Sequence, residues 1–219
     1  MIKRMMLMRK MFLLWLVCPV LLNAQEIAVL KYSGGGDWYG NPTSLPNLAR
    51  FCNQNINTKI NPKTATVEAG SPDIFSYPFI HMTGHGNVVF SDNDVINLRN
   101  YLTSGGFLHI DDNYGMDKFI RKEIKKIFPD KELTPVPVSH KIFQGPFLFA
   151  SGIPKIHEHD NKPPQALGIF VEARLVLLYT VETDLGDGWE DQEVHNDPRE
   201  VREKALKMGA NIINYAFNN

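Results

Sequence analysis

The stretch from Tyr77 to Gly115, YPFIHMTGHGNVVFSDNDVINLRNYLTSGGFLHIDDNYG, constrains the fold of this chain more than any other. A first apolar run ends in Thr83-Gly84-His85-Gly86. Ser91 and Asp94 then have the spacing of a capping box, ahead of an inward stripe of Val95, Leu98 and Leu102. Gly105-Gly106 stops that helix, and a second apolar run ends in Asp111-Asp112-Asn113. Short apolar strands alternating with a periodic helix predict a parallel βαβ unit, whose ligands sit outside the carboxyl ends of the strands. Both polar clusters fall at such ends, so the pattern locates a site before it names any chemistry.

The composition is that of a globular protein, with 43% hydrophobic and 21% charged residues. A formal net charge of −1 leaves no basic footprint for nucleic acid. At the N-terminus, Lys3, Arg4, Arg9 and Lys10 precede an apolar run from Met11 to Leu22 and then Asn23-Ala24-Gln25. This predicts a secretory signal peptide over residues 1–24 and a single α/β domain over 25–219, periplasmic or secreted. The run is about half the roughly 20 residues of a membrane span, so no stable anchor is expected after cleavage. Cys18 falls in the leader, which leaves Cys52 alone and no intrachain disulfide to form.

Along the chain, Ile27 to Tyr32 reads as the first strand, closed by Gly34-Gly35-Gly36. Those glycines do not complete a dinucleotide fingerprint, because Asn41-Pro42 intervenes before the next helix. That helix, from Ser44 to Asn57, is expected to be capped by Ser44 and to bury Leu45, Leu48, Cys52 and Ile56. Thr64 to Glu68 reads as a short strand, and Asp117 begins a helix with Ile120, Ile124 and Ile127 inward. Lys131 to Pro164 is proline-rich and irregular, a kind of segment that is commonly functional. Ala166 to Val171 and Arg174 to Thr180, separated by Glu172-Ala173, predict a β-hairpin near the C-terminus. An acidic loop from Asp184 to Asp191 follows. Asp197, with Pro198 at the first helical position, then caps a last helix carrying Val201, Ala205, Met208, Ile212 and Tyr215 on its inward stripe.

Four polar clusters project from the inferred strand ends, and their convergence is the reason for expecting a site there. They contribute Gly34, Gly35, Gly36, Asp37 and Trp38; Gly84, His85 and Gly86; Asp111, Asp112 and Asn113; and Asp184, Asp187 and Trp189. Adjacent Asp111 and Asp112 point opposite ways in a strand, so one enters the crevice while the other caps the next helix; Asp112 is assigned to the site. His85, between two glycines, suits acid–base work, and His140 is a second candidate. His81 and His109 lie inside apolar strands and read as core residues. His157-Glu158-His159-Asp160 has metal-ligand residue types in an unspecific spacing and reads as a solvated loop. Asp184 to Asp191 matches calcium loops in composition but not in spacing.

At these motifs the chain resembles an uncharacterised bacterial family, the domain-of-unknown-function 4159 family, and through it the class I glutamine amidotransferase-like fold. The resemblance rests on GGGDWY at 34–39, TGHG at 83–86, SGGFLHIDDNYG at 104–115, PVSHKIF at 137–143, DLGDGWE at 184–190 and LKMGANIINYA at 206–216. It implies a three-layer α/β sandwich with a mostly parallel, flavodoxin-like sheet, and no established activity. Glutaminases of that fold place a nucleophilic cysteine in the turn after the strand matching Phe107 to Ile110. This chain has Asp111-Asp112-Asn113 there, which argues against thioester chemistry.

Two function classes remain at this level. In a binding domain, the glycine loop, Trp38 and Trp189 would line a cleft for a small polar ligand, a carbohydrate or a peptide, with no cofactor needed. In a hydrolase without a covalent intermediate, Asp112, His85 and His140 would do the chemistry, with or without assistance from a divalent metal. Neither class fixes an oligomeric state.

Overall fold

The computed structural model describes residues 25–219, so the signal peptide read over residues 1–24 lies outside the described residues. Seven strands form one sheet: β1 (Ile27–Lys31), β2 (Ala65–Glu68), β3 (Phe79–Gly84), β4 (Phe107–Asp112), β5 (Thr134–Pro135), β6 (Gln165–Val171) and β7 (Arg174–Val181), in the order β2-β1-β3-β4-β7-β6-β5. The first five in that order run parallel, whereas β6 pairs antiparallel with β7, and β5 with β6. Glu172 and Ala173, both at positive φ, link β6 to β7.

The helices are α1 (Ser44–Asn55), α2 (Asp92–Thr103), α3 (Asp117–Ile127), α4 (Leu185–Trp189), α5 (Gln192–His195) and α6 (Arg199–Asn218). Successive residues of β3 and β4 feed two different cores, which is why these strands read as continuous apolar runs and not as alternating ones. Ile80, Met82, Leu108 and Ile110 pack with Leu98 and Leu102 of α2 and Ile120 and Ile124 of α3. Phe79 and Phe107 pack on the other face with Leu48 and Cys52 of α1 and Met208 and Ile212 of α6. The irregular segment after β5 is held to this second core by Ile142, Phe143, Phe149 and Ile153.

The capping box of α2 forms as the spacing requires: Ser91 Oγ accepts from Asp94 N, and Asp94 accepts from Ser91 N. The other two helix starts differ from expectation. Ser44 is the first residue of α1 rather than its cap, and its hydroxyl turns back to donate to Asn41 O at 2.8 Å. Pro198, not Asp197, occupies the N-cap position of α6, because the Asp197 carboxylate is drawn to a histidine described below. The acidic stretch after β7 is not a loop: Leu185 to Trp189 is helical, and the Trp189 side chain anchors it in the core.

Candidate functional site

Winding leaves β1 toward β2 on one side and reaches β3 on the other, so the outer ends of β1 and β3 flank the crevice where such sheets bind ligands. Here that crevice is closed by its own loops. Ser33 pairs with Val89, and Gly36 N–H donates to Asn87 O at 3.0 Å. A Cβ on Gly34 would lie 2.8 Å from Val89 N, and one on Gly36 would lie 2.7 Å from His85 O. These two glycines therefore serve loop-on-loop packing, not the approach of a ligand. Gly36→Ala is expected to lower stability by about 2 kcal/mol, since the atoms in the way are backbone; a thermal midpoint matching wild type would refute this. Gly35 and Gly86 are open, at positive φ. His85 does meet Asp37: its Nδ1 lies 3.0 Å from Asp37 Oδ2, and its N–H donates to Asp37 Oδ1. Trp38 packs edge-on against the exposed Tyr39.

Asp112, the residue assigned to the site from sequence, is 3% exposed and spends its carboxylate on the backbone. Oδ1 accepts from Tyr114 N and Met116 N, and Oδ2 from Asp117 N, each at 2.9 Å, while Tyr179 OH lies 3.3 Å from Oδ2. Three amides at the start of α3 are thereby satisfied, so capping is its function in the fold. Burial raises its pKa, with the Met116, Tyr114 and Asp117 amides acting against that.

Asp111 is fully buried on the other face of β4. Its Oδ2 accepts from Gly186 N at 2.7 Å, tying α4 to the sheet, and its Oδ1 from Thr183 Oγ1 at 3.0 Å and Thr180 Oγ1 at 2.5 Å. Burial pushes its pKa up to about 7, against lowering by Thr180 and Gly186. Thr180 links this carboxyl to a histidine pair: His109 Nε2 is 3.0 Å from Thr180 Oγ1, and His109 Nδ1 is 3.1 Å from His81 Nδ1. With Asp111 ionised, Thr180 must donate to it; His109 Nε2–H then donates to Thr180, and His81 Nδ1–H to His109. That leaves His81 Nε2 as a buried acceptor with no partner. Both rings flank Trp189, and burial keeps both neutral, with the His81 pKa at about 3.

Beyond Asp111 the carboxyl edge is lined by histidines and carboxylates from remote parts of the chain. His157 Nδ1 lies 3.2 Å from Asp187 Oδ2 and 3.5 Å from Asp184 Oδ2, and its Nε2 lies 2.9 Å from Asp197 Oδ1. His159 Nε2 is 2.5 Å from Asp184 Oδ2, and His195 Nε2 is 3.0 Å from Glu190 Oε2 and 3.8 Å from Asp187 Oδ1. Asn41 and Asn113 both donate to Asp187 Oδ1, at 2.6 and 3.1 Å. The Asp184 carboxyl, then Asp187 and Asp197, push the His157 pKa up to about 11. Burial would raise Asp187, but its bonds from His157 and Asn41 and the charge of His195 outweigh that and hold it below the usual range.

Beside this cluster, at the ends of β4 and β7, lies a crevice of about 340 Å³ lined by Asp112, Tyr114, Arg121, His159, Asp160 and Glu182, among others. Tyr114 is 47% exposed; its ring stacks on His159 at 4.6 Å and its hydroxyl donates to Asp160 at 3.0 Å. Tyr114, Glu182 and Asp184 all have φ in the left-handed region, at 121°, 59° and 55°.

The structure thus brings together Asp111, Asn113, Asp184 and Asp187, and separately Asp37 with His85. It does not bring in His140 or Trp189. His140 packs on Tyr215 and Phe170, beside the start of β7, and so stands at the amino edge of the sheet, opposite His85 and Asp112. Trp189 has no exposed surface, and its indole N–H donates to Ala205 O at 2.8 Å, so it cannot face a ligand. Cys52 is likewise buried, its thiol pKa pushed up to about 12 by burial. The His157-Glu158-His159-Asp160 stretch is a loop exposed at Glu158, His159 and Asp160, but Ile156 N–H bonds to Thr183 O at 2.8 Å and delivers both imidazoles to the sheet edge. His195 and Asn41 were missed by sequence reasoning, as neither stands at a strand end.

These features define the class: an α/β domain wound on both faces of a mostly parallel sheet, with a polar, histidine-lined edge at the carboxyl ends of its strands. The chain belongs to the family described as Domain of unknown function (DUF4159), whose model matches residues 26–217. No curated protein matches it.

Proposed function

We propose that this is an exported binding domain of the class I glutamine amidotransferase-like sandwich type, lacking the cysteine nucleophile. It holds a small polar ligand, a carbohydrate in preference to a peptide, in the crevice between the ends of β4 and β7. The observation that carries this reading is Tyr114. A large aromatic side chain is kept there in a backbone conformation that favours glycine, with its face half-exposed beside a polar crevice. Strain of that kind concentrates at functional sites, and an aromatic face rimmed by polar groups is the surface a sugar ring packs against. Glu182, which also lines the crevice, has a buried Oε2 that makes no hydrogen bond and meets only the Lys155 ammonium at 3.6 Å, which leaves it able to accept from a ligand hydroxyl. Binding is favoured over hydrolysis because His85, Asp112 and His140 do not form one constellation, and the Asp112 carboxylate is committed to α3.

The test is to screen the purified chain against an array of neutral and acidic oligosaccharides and short peptides, and to repeat any hit with Tyr114→Ala. Binding should fall at least about tenfold in that variant, in line with losing one hot-spot aromatic contact. An oligosaccharide bound equally well without the ring would sink the reading. The same position yields a stability prediction: Tyr114→Gly should melt about 3 °C above Tyr114→Ala, because glycine alone adopts φ of 121° freely. Equal midpoints would mean that the backbone there is unstrained.

A further inference from the structure

We propose that His157, Asp187 and His195 form a binding site for a divalent transition-metal ion of the zinc class, a site that stands independently of the ligand crevice. One ligand atom from each of the three lies within 4.8 Å of the others. Around a tetrahedral ion with bonds of about 2.1 Å, ligand atoms stand about 3.4 Å apart. His157 Nδ1 lies 3.2 Å from Asp187 Oδ2 and His195 Nε2 lies 3.8 Å from Asp187 Oδ1, so the carboxylate stands between the two imidazoles with a different oxygen toward each. The groups therefore need only small side-chain adjustments to close on an ion.

Three further features fit a metal better than they fit ion pairing alone. His157 presents Nδ1 to the cluster while its far nitrogen, Nε2, lies 2.9 Å from Asp197 Oδ1, the outer carboxylate that fixes the tautomer of a metal-ligating imidazole. Asp187 is itself oriented by the side-chain amides of Asn41 and Asn113. Asp184, whose Oδ2 lies 3.5 Å from His157 Nδ1, is fully buried and has an Oδ1 without any partner. With Glu190 3.0 Å from His195, carboxylates outnumber imidazoles around the cluster, a balance that a doubly charged ion would restore. Two imidazole nitrogens and a carboxylate oxygen are ligands for zinc or its neighbours, not for magnesium or calcium.

The experiment is isothermal titration of the chelator-stripped full chain with zinc chloride, alongside cobalt(II) titration followed by visible absorption. One equivalent of zinc and the appearance of cobalt d–d bands are expected. His195→Ala should weaken zinc binding by at least about 100-fold, and Asp197→Asn by about 10- to 100-fold, through loss of the carboxylate that holds His157 Nε2. His195 lies on a short surface helix, so its variant should keep the wild-type circular dichroism spectrum. Absence of both zinc heat and cobalt bands in the unaltered chain would overturn the proposal and leave an ion-paired network of imidazoles and carboxylates. Zinc bound equally by a His157→Ala/His195→Ala double variant would overturn it too, since the ion would then lie elsewhere.

Discussion

Asp112→Ala is expected to destabilise the fold by about 3 kcal/mol, seen as a lower urea midpoint with an unchanged denaturant slope. The carboxylate, 3% exposed, receives three backbone amides at the start of α3, each at 2.9 Å, and its removal strands the buried amide of Met116 and the part-buried ones of Tyr114 and Asp117. Losing an ordinary cap costs about 1 kcal/mol, and leaving a buried donor unsatisfied costs about 1–3 kcal/mol. With three amides involved, the upper part of the combined range applies. Asp112→Asn should cost clearly less, because one amide oxygen remains to accept from Tyr114 and Met116. If Asp112→Ala instead kept its stability and lost ligand binding, the carboxylate would be a site residue and its capping role would be incidental.

The second large effect is a pH dependence traced to Asp111. Its folded pKa of about 7 lies above the ordinary 3.8, so the native state holds the proton more tightly than the unfolded chain does. Stability from this group is complete below the unfolded value and is lost as pH rises through the folded value. The difference corresponds to on the order of 4 kcal/mol. In Asp111→Asn the titration is absent; the one amide oxygen can still accept from Gly186 N, while the NH2 group donates to the hydroxyl oxygens of Thr180 and Thr183. Chemical denaturation of both proteins from about pH 4 to about pH 8 should therefore show the balance of stability moving toward the variant by that order. Parallel stability curves would mean that Asp111 stays ionised throughout. The comparison with the variant matters because His157, raised to about 11, also loses stability with rising pH, but only above its unfolded value near 6.5.

The elements themselves were legible in the sequence because they rest on local chemistry. Ser91 and Asp94 close a capping box three residues apart, Gly105 ends the helix they start, and the runs at Phe79 and Phe107 can only be strands buried on both faces. From these the parallel pairing of β3 and β4 follows, and so does the position of Gly84 beside Asp112 at the carboxyl edge. What each polar residue does there was not legible. Alternation showed that Asp111 and Asp112 point to opposite faces, but both are enclosed: one by the amides of α3, the other by α4 folding back over the sheet. Trp189 looked like a ligand platform until α6 covered it, and His140 looked like a partner for His85 until the irregular segment carried it to the other edge. His157, whose neighbourhood has metal-ligand residue types in an unspecific spacing, and His195, 38 positions on, meet only because that segment returns to the end of β7. Hydrogen bonds within a turn or a helix are set by residues a few positions apart. A site assembled across the sheet edge depends on where long loops close, and no local pattern encodes that.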